Sequence, residues 1–373
     1  MTSIRLPYFD IVRLLAAIIV VFSHSFLIAT GTEEGEPLYA TGHVSGVYGV
    51  FIFFIISGFL VTESAKRSAS VADYFRKRFL RIAPAFAVST LVVVYLVCPF
   101  FVQAGAMRFI TSPEVLSTTM QVIFLHVDNL YFTDVQFYTP ANGPDWLPHL
   151  ASGVLWTIRL EIIGYLLIAI LMALGLLRSG KQVLTLPIVA VLAGCCVVYL
   201  HSFTKLWLGG PLLVLPSLCC GIGMNWLVQY HRLRAWIAVI FAIGVIPAAY
   251  FHVLPETFCF FAAYPIIWVG INGIPMLRFT GNGTDISYGI YLYGWPMLQL
   301  LRAALGPNLN GYEMAVLAIP ATAAVAYLSW YFVEKPALSF KRPYNGFAPA
   351  VMSDSPAKQQ PPGSVQIQDS QIT

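Results

Sequence analysis

Two ionisable residues in the first apolar segment have the spacing of a functional pair. Arg13 and His24 are 11 positions apart, which is close to three helical turns, so both lie on one helix face about 16 Å apart along the axis. Asp10, one turn before Arg13, can hold the guanidinium group. This stripe suits a ligand whose anionic part binds Arg13 and whose reactive end reaches His24. The alternatives are an interfacial anchor for Arg13 and a structural hydrogen bond for His24.

A third ionisable group, Glu161, lies in another apolar segment. Charged side chains within membrane spans are rare and mark functional sites by default. We predict Glu161 about 14 Å below the outer surface and His24 about 20 Å above the cytoplasmic end of its helix, which are similar depths in a core of about 30 Å. A carboxylate that reaches an imidazole orients it and raises its basicity, as a general base requires. A structural salt bridge to another helix is the alternative for Glu161.

A basic cluster precedes the third apolar segment, at the end of a predicted loop. It contains Arg76, Lys77, Arg78 and Arg81. Arginine binds phosphate oxygens through two parallel hydrogen bonds, so the cluster could hold a phosphorylated ligand. It could equally set the orientation in the membrane and contact anionic lipid. The sequence leaves both interpretations open.

These residues must be positioned by membrane-spanning helices. Hydrophobic residues make up 58% of the 373 positions and charged residues 10%, whereas soluble domains average about 25% charged. We predict an all-α, polytopic membrane protein with about ten spans of roughly 20 residues each. They lie near 11–29, 46–65, 83–103, 152–177, 184–201, 206–229, 235–251, 257–275, 286–304 and 314–333. Residues 1–343 form this membrane domain, and 344–373, rich in Ser, Pro and Gln, form a predicted disordered tail.

The loop charges predict the orientation of the chain. Lys and Arg concentrate in one set of alternate loops, and such loops face the cytoplasm. We therefore predict an inner-membrane protein with both termini in the cytoplasm. The long polar loop, 104–151, then faces outward. The first apolar run retains Arg13 and His24 and is soon followed by a second span, which indicates an uncleaved helix rather than a signal peptide.

Several other classes of function are excluded. No Lys- and Arg-rich run is interleaved with aromatic residues, so nucleic-acid binding is not expected. The six cysteines lie in or beside apolar stretches and include two adjacent pairs, a pattern of neither a zinc site nor a disulfide framework. No metal site is therefore predicted.

Six segments, taken in order, resemble the motifs of the acyltransferase-3 family of membrane O-acyltransferases. They cover the chain from Tyr8 to Pro336. The first is the Arg13 to His24 pair. The others are 49–60 (GVFIFFIISGFL), 78–84 (RFLRIAP), 155–161 (LWTIRLE), 287–296 (SYGIYLYGWP) and 333–336 (VEKP). Each segment alone is weak evidence, but six in the family order are specific.

The resemblance implies an enzyme that moves an acetyl or other acyl group from cytoplasmic acetyl-CoA to a hydroxyl of a cell-surface or lipid-linked saccharide. It implies that His24 is the general base, or the nucleophile of a transient acyl-histidine, and that Glu161 orients it. It further implies that the donor phosphates bind three arginines, and that several other residues support the site. The arginines are Arg13, Arg78 and Arg81; the supporting residues are Asp10, Ser57, Tyr291, Trp295 and Glu334. No permanently bound cofactor is implied, because acetyl-CoA is a co-substrate.

One departure from the family pattern affects the assignment of the base. The family usually has a histidine directly before Trp295-Pro296, and this chain has Gly294. His24 is then the remaining candidate for an intramembrane base. The aromatic and acidic side chains of the outward loop are a candidate surface for acceptor recognition. They are Asp128, Tyr131, Asp134, Tyr138, Asp145 and Trp146.

Two other functions are compatible with intramembrane charges. A proton-coupled transporter or flippase of a lipid-linked glycan would use His, Arg and Glu as a proton relay, but the chain lacks paired repeats with matched broken helices. A membrane sensor would leave the charges within the spans unexplained.

Overall fold

A computed structural model describes residues 8–103, 105–140, 142–179, 209–273 and 284–340 of the chain. Thirteen helices are found in this part. They are α1 (Phe9–Thr30), α2 (Ser45–Lys66), α3 (Val71–Val92), α4 (Ala106–Ile110), α5 (Pro113–Ile123), α6 (Trp156–Ala173), α7 (Leu176–Ser179), α8 (Gly209–Tyr230), α9 (Ala235–Tyr250), α10 (Leu254–Asn272), α11 (Ser287–Leu305), α12 (Gly311–Ser329) and α13 (Lys335–Ser339). π-helical turns extend α3 over Val93–Val97 and join α12 to α13 over Trp330–Glu334.

Six of the helical segments are long and apolar enough to cross a membrane. They are Phe9–Thr30, Ser45–Lys66, Val71–Phe101, Trp156–Ala173, Leu254–Asn272 and Gly311–Ser339. The predicted class, a helical multi-pass membrane protein, is confirmed. The count of ten spans and the cytoplasmic side of the termini stay predictions. The span near 184–201 and the tail 344–373 lie outside the described residues.

The third span begins earlier than its apolar run. We predicted a start near residue 83, but α3 begins at Val71. The side chain of Ser70 accepts a hydrogen bond from the Asp73 amide at 3.1 Å, which caps the first turn. The basic cluster therefore lies on the helix and not in a loop, and Arg78 and Arg81, three positions apart, share a face.

The central helices pack closely through small residues. A Cβ atom added at Gly58 of α2 would collide with the carbonyl oxygen of Leu218 on α8, and one at Gly221 of α8 would collide with that of Ile55. On the opposite flank, a Cβ at Gly49 would lie 2.9 Å from the Ala16 carbonyl oxygen of α1. Such approaches are the usual means of packing helices in membranes, where hydrophobic association is weak. They fix the rotation of α2 and hence the direction of its polar side chains.

The long polar loop has its own structure. It contains α4, α5 and an antiparallel pair of short strands, β1 (Leu130–Tyr131) and β2 (Leu150–Ser152), with Leu130 opposite Ser152. The indole Nε1 of Trp295 on α11 donates to the Leu150 carbonyl at 3.0 Å. This loop is therefore attached to the helix that contains the 287–296 segment.

Candidate active site

A cavity of about 370 Å³ lies between α1, α2, α3, α6 and the start of α11. Most of its polar lining consists of charged and hydroxyl side chains. They are Asp10, Arg13, Ser57, Arg78, Arg81, Thr157, Glu161, Tyr165, Asp285, Ser287, Tyr288 and Tyr291. Thr157, Glu161 and Tyr165 recur every four residues and share one face of α6. The three predicted donor-binding arginines are thus brought into one chamber.

Asp285 joins two of these arginines, and sequence analysis did not identify it. Its Oδ2 lies 3.0 Å from Nη1 of Arg13 and also accepts a hydrogen bond from Nη2 of Arg81. Its Oδ1 accepts from the amide of Ser287 at 3.2 Å and from the Ser287 hydroxyl at 2.5 Å. Asp10 forms a longer ion pair with Arg13, at 3.9 Å. Asp285 is therefore the principal partner of Arg13.

The charge of Asp285 is stabilised by its neighbours. Burial alone would raise the pKa of this carboxyl, but the guanidinium groups of Arg81 and Arg13 and the Ser287 hydroxyl lower the pKa overall, well below the ordinary value of 3.8. A carboxyl whose pKa is depressed in the folded state stabilises that state above its unfolded pKa and loses this contribution as the pH falls toward the folded pKa. Asp285 should therefore contribute fully at neutral pH and less below about 3.8.

Asp285→Asn is expected to lower the free energy of unfolding by about 3 kcal/mol at neutral pH, because the partly buried guanidinium groups of Arg13 and Arg81 lose their shared, buried carboxylate. Thermal unfolding of the detergent-solubilised protein measures the change. The difference from wild type should shrink as the pH falls below about 3.8. Asp128→Asn is the control, since the pair of Asp128 with Arg159 is exposed and should contribute under about 1 kcal/mol. Equal effects of the two substitutions would contradict a structural role for the Asp285 cluster.

Arg78 is the cavity arginine with the least electrostatic compensation. Its Nη2 donates to the Ser64 hydroxyl at 3.0 Å, and its guanidinium carbon lies 5.9 Å from the centre of the Tyr165 ring. Its Nε is buried and has no hydrogen-bond partner among the described residues. This arrangement leaves Arg78 able to bind an anionic ligand in the cavity.

Glu161 faces the same cavity from α6. The hydroxyl of Tyr165, one turn further along, donates to Glu161 Oε1 at 2.5 Å, and the hydroxyl of Ser57 on α2 donates to the same oxygen at 3.4 Å. Arg159, two positions before Glu161, points away from the cavity and binds Asp128 at 2.8 Å. Glu161 therefore has two hydroxyl donors and no cationic partner within the described part of the chain.

His24 lies outside the lining of the cavity. Its ring packs edge-on against Trp295, with 4.9 Å between the ring centres, and its buried Nδ1 has no hydrogen-bond partner among the described residues. The expected direct contact between His24 and Glu161 is absent, because the hydroxyls of Ser57 and Tyr165 bind the carboxylate instead. Similar depth in the membrane did not imply a shared face. The catalytic roles of His24 and Glu161 stay predictions.

Three of the five predicted supporting residues line the cavity and two do not. Asp10, Ser57 and Tyr291 line the cavity, and the Tyr291 hydroxyl bonds to the Thr157 hydroxyl at 2.6 Å. Trp295 contacts His24 instead. Glu334 is 2% exposed, and one of its oxygens accepts a long bond of 3.5 Å from Ser329.

Gly294, where the family usually has histidine, packs against α1. A Cβ atom there would lie 2.5 Å from Cγ2 of Val21, so a larger side chain would require the Val21 side chain to move. Within the described ranges no group of histidine, cysteine and acidic side chains has the arrangement of a metal site.

Asp285 could have been found in the sequence, because it is an acidic residue directly before an apolar segment, on the predicted cytoplasmic side where Lys and Arg concentrate.

The fold and the cavity together define a multi-pass membrane protein with a buried, arginine-lined chamber between its helices. Residues 6–334 match the acyltransferase-3 model, described as an acyltransferase domain. Because this match covers most of the chain, the chain belongs to the acyltransferase-3 family and is an acyltransferase. The resemblance inferred from the six motifs is confirmed.

Several characterised proteins are similar over most of this chain. Nodulation protein 10 of Rhizobium leguminosarum bv. viciae is 29% identical, with 89% of this chain and 93% of that protein covered. An O-acetyl transferase of Shigella phage Sf6 is 26% identical, with 90% and 97% covered. The peptidoglycan O-acetyltransferase OatA of Listeria monocytogenes is 24% identical over 88% of this chain but only 55% of its own length. No solved structure matches the chain significantly.

Proposed function

We propose that this protein is an inner-membrane O-acetyltransferase that transfers the acetyl group of cytoplasmic acetyl-CoA to a hydroxyl of a cell-surface or lipid-linked saccharide. The observation that carries the donor half of the proposal is the convergence of Arg13, Arg78 and Arg81 on one cavity. Arginine is suited to bind the phosphates of such a donor. The predicted orientation puts this cavity near the cytoplasmic side, where acetyl-CoA is available.

The acceptor half is supported by the names of similar proteins. The proteins from Shigella phage Sf6 and Listeria monocytogenes are O-acetyltransferases, and the name of the latter specifies peptidoglycan. A fourth similar protein, from Rhizobium meliloti, is 25% identical over 80% of this chain and is named for exopolysaccharide production. Two of these names specify O-acetyl transfer and two specify a saccharide polymer, which supports a saccharide hydroxyl as the acceptor.

In the proposed reaction, His24 removes the proton from the acceptor hydroxyl while the oxygen attacks the thioester carbonyl carbon. The tetrahedral intermediate collapses with cleavage of the carbon–sulfur bond, and the CoA thiolate leaves and takes up a proton. Glu161, in the cavity wall, raises the basicity of the imidazole when the loaded site brings the two groups together. Catalytic hydrogen bonds often tighten only in the complex with substrate, which is consistent with their separation here. Membership in an acyltransferase family favours this reaction over transport of a glycan.

The test is transfer of label. Purified protein in liposomes is incubated with acetyl-CoA labelled in its acetyl group and with host surface polysaccharide whose O-acetyl esters have been removed by mild alkali. Alkali-labile label in the polysaccharide is expected. Absence of transfer by protein that is folded and correctly inserted would contradict the proposal.

Arg81→Lys is expected to raise the donor KM about 10-fold or more, because a lost contact to a charged group is worth about 1.5–3 kcal/mol. Lysine keeps the charge but cannot form two parallel hydrogen bonds to a phosphate. Initial rates at varied acetyl-CoA concentration measure the change. Arg159→Lys is the matched control, since Arg159 pairs with Asp128 outside the cavity. An unchanged donor KM in Arg81→Lys would return this residue to a role in membrane orientation.

A further inference from the structure

One face of α11 carries a series of large polar and aromatic side chains along more than half of its length. Tyr291, Trp295, Gln299 and Arg302 are separated by four, four and three positions, so they form one stripe about 16 Å long. The first of them lines the arginine cavity, and the second contacts His24. The last two lie beyond His24, at the end of α11 far from the donor cavity. Neither has a role in the mechanism described above.

Gln299 is buried without satisfying its hydrogen-bonding groups. It is 0% exposed, and neither its Nε2 nor its Oε1 has a hydrogen-bond partner among the described residues. An amide buried in this way costs free energy, because it loses its bonds to water and gains none in return. Leu or Met would fill the same space without that cost. An unpaired amide of this kind fits a site for a ligand that supplies both donors and acceptors.

Arg302, one turn further, is also buried and only partly satisfied. It is 2% exposed, its Nη1 donates to the Gly306 carbonyl at 3.1 Å, and its Nε has no partner in the described structure. Its guanidinium carbon lies 5.8 Å from the ring centre of Tyr138. Tyr138 belongs to the long polar loop, is 54% exposed and lines a second cavity of about 460 Å³. The stripe on α11 thus runs from an accessible loop toward His24.

The loop reaches the same region from a second direction. Strand β2 binds Trp295 through the Leu150 carbonyl, and the adjoining Ser152 is 1% exposed with an unpartnered hydroxyl. The unpartnered polar atoms of His24 and Ser152 therefore belong to α1 and β2, which both contact Trp295. Those of Gln299 and Arg302 lie on α11, about one and two turns beyond Trp295. A saccharide presents hydroxyl groups that both donate and accept, and aromatic rings beside polar groups suit its mixed surface.

We propose that Gln299, Arg302 and Tyr138 form a subsite that binds the hydroxyl groups of the saccharide acceptor and directs one of them to His24. This subsite rests on the proposed function and adds the acceptor's position to it. It lies at the opposite end of α11 from Asp285, so donor and acceptor approach His24 from opposite ends of the helix. Gln299 and Tyr138 determine acceptor affinity and have no part in donor binding.

The test uses the full chain in liposomes, labelled acetyl-CoA, and the de-O-acetylated host polysaccharide as acceptor. Gln299→Met keeps the length of the side chain and removes both amide groups. It is expected to raise the acceptor KM about 10-fold and leave the donor KM unchanged, as expected for the loss of two hydrogen bonds. The thermal unfolding midpoint should stay the same or rise, because a buried unpaired amide is removed. Tyr138→Ala, at an exposed position, is a second variant that should raise the acceptor KM without affecting folding.

Ser217→Ala on α8 is the matched control. Ser217 is 0% exposed and its hydroxyl is also unpartnered among the described residues, but α8 packs on α2, α6 and α10 rather than on α11. This variant should change neither KM. A wild-type acceptor KM in both Gln299→Met and Tyr138→Ala would overturn the subsite while leaving the proposed function intact. A rise in both KM values with a lower unfolding midpoint would mean that Gln299 is structural. Absence of transfer by the wild-type protein would overturn the proposed function and the subsite with it.

Discussion

His24→Ala is expected to abolish acetyl transfer to polysaccharide in protein that is folded and inserted in the membrane. The sequence leaves His24 as the candidate base, because Gly294 occupies the position where the family usually has a second histidine. The structure puts the imidazole against Trp295, with an unpartnered Nδ1. Without a base, the acceptor hydroxyl must attack as a neutral alcohol, and general-base catalysis is typically worth about 10²–10⁴-fold. The initial rate of label transfer is the measurement.

His43→Ala is the matched control for this substitution. His43 is partly buried but belongs to the connection between α1 and α2, away from the cavity lining. Both variants should elute from size-exclusion chromatography as wild type does. If His24→Ala retained most of the activity, the catalytic assignment would fail, and the stripe that runs from Arg13 would be better interpreted as a transport path or a structural seam.

Glu161→Gln is expected to reduce the turnover number about 10²-fold or more and to leave the donor KM unchanged. Glutamine preserves the volume and can still accept the hydrogen bonds of Tyr165 and Ser57, but it removes the negative charge that would raise the basicity of the imidazole. Turnover at saturating acetyl-CoA, together with the donor KM, separates a loss of chemistry from a loss of binding.

The double variant of His24 and Glu161 decides whether the two residues act together. If they form one unit in the loaded enzyme, the double variant should be little worse than His24→Ala, since units of this kind are strongly non-additive. If the losses multiply, Glu161 acts separately, within the donor cavity where the structure has it bonded to Tyr165 and Ser57. That second outcome would contradict the orienting role predicted for Glu161.

Much of the fold could be predicted because membrane helices depend on local properties of the sequence. A run of about 20 apolar residues is both necessary and nearly sufficient for a span, and the helical multi-pass class followed from composition and hydropathy alone. The start of α3 was misplaced because the amphipathic segment 71–82 is stabilised by the Ser70 cap and by the ion pair between Lys77 and Asp73. Hydropathy does not detect either contribution.

The sequence by itself also determined which charged groups are unusual. Arg13 and Glu161 were identified because charges within apolar segments are costly, and that cost depends on the residue and its span rather than on its neighbours. Arg78 and Arg81 were identified as members of a basic cluster that could bind phosphate. The structure brought all four to one cavity. The basic cluster was predicted to lie in a loop, so the shared face of Arg78 and Arg81 became evident only from the start of α3 at Val71.

Only the tertiary structure decided which side chains meet. The rise per residue predicts how deep a residue lies, but the rotation and neighbours of each helix depend on packing between residues distant in sequence, such as Gly58 against α8 and Gly294 against Val21. For this reason Asp285, from a connection before α11, became the partner of Arg13 and Arg81. For the same reason Glu161 turned toward Tyr165 while His24 turned toward Trp295.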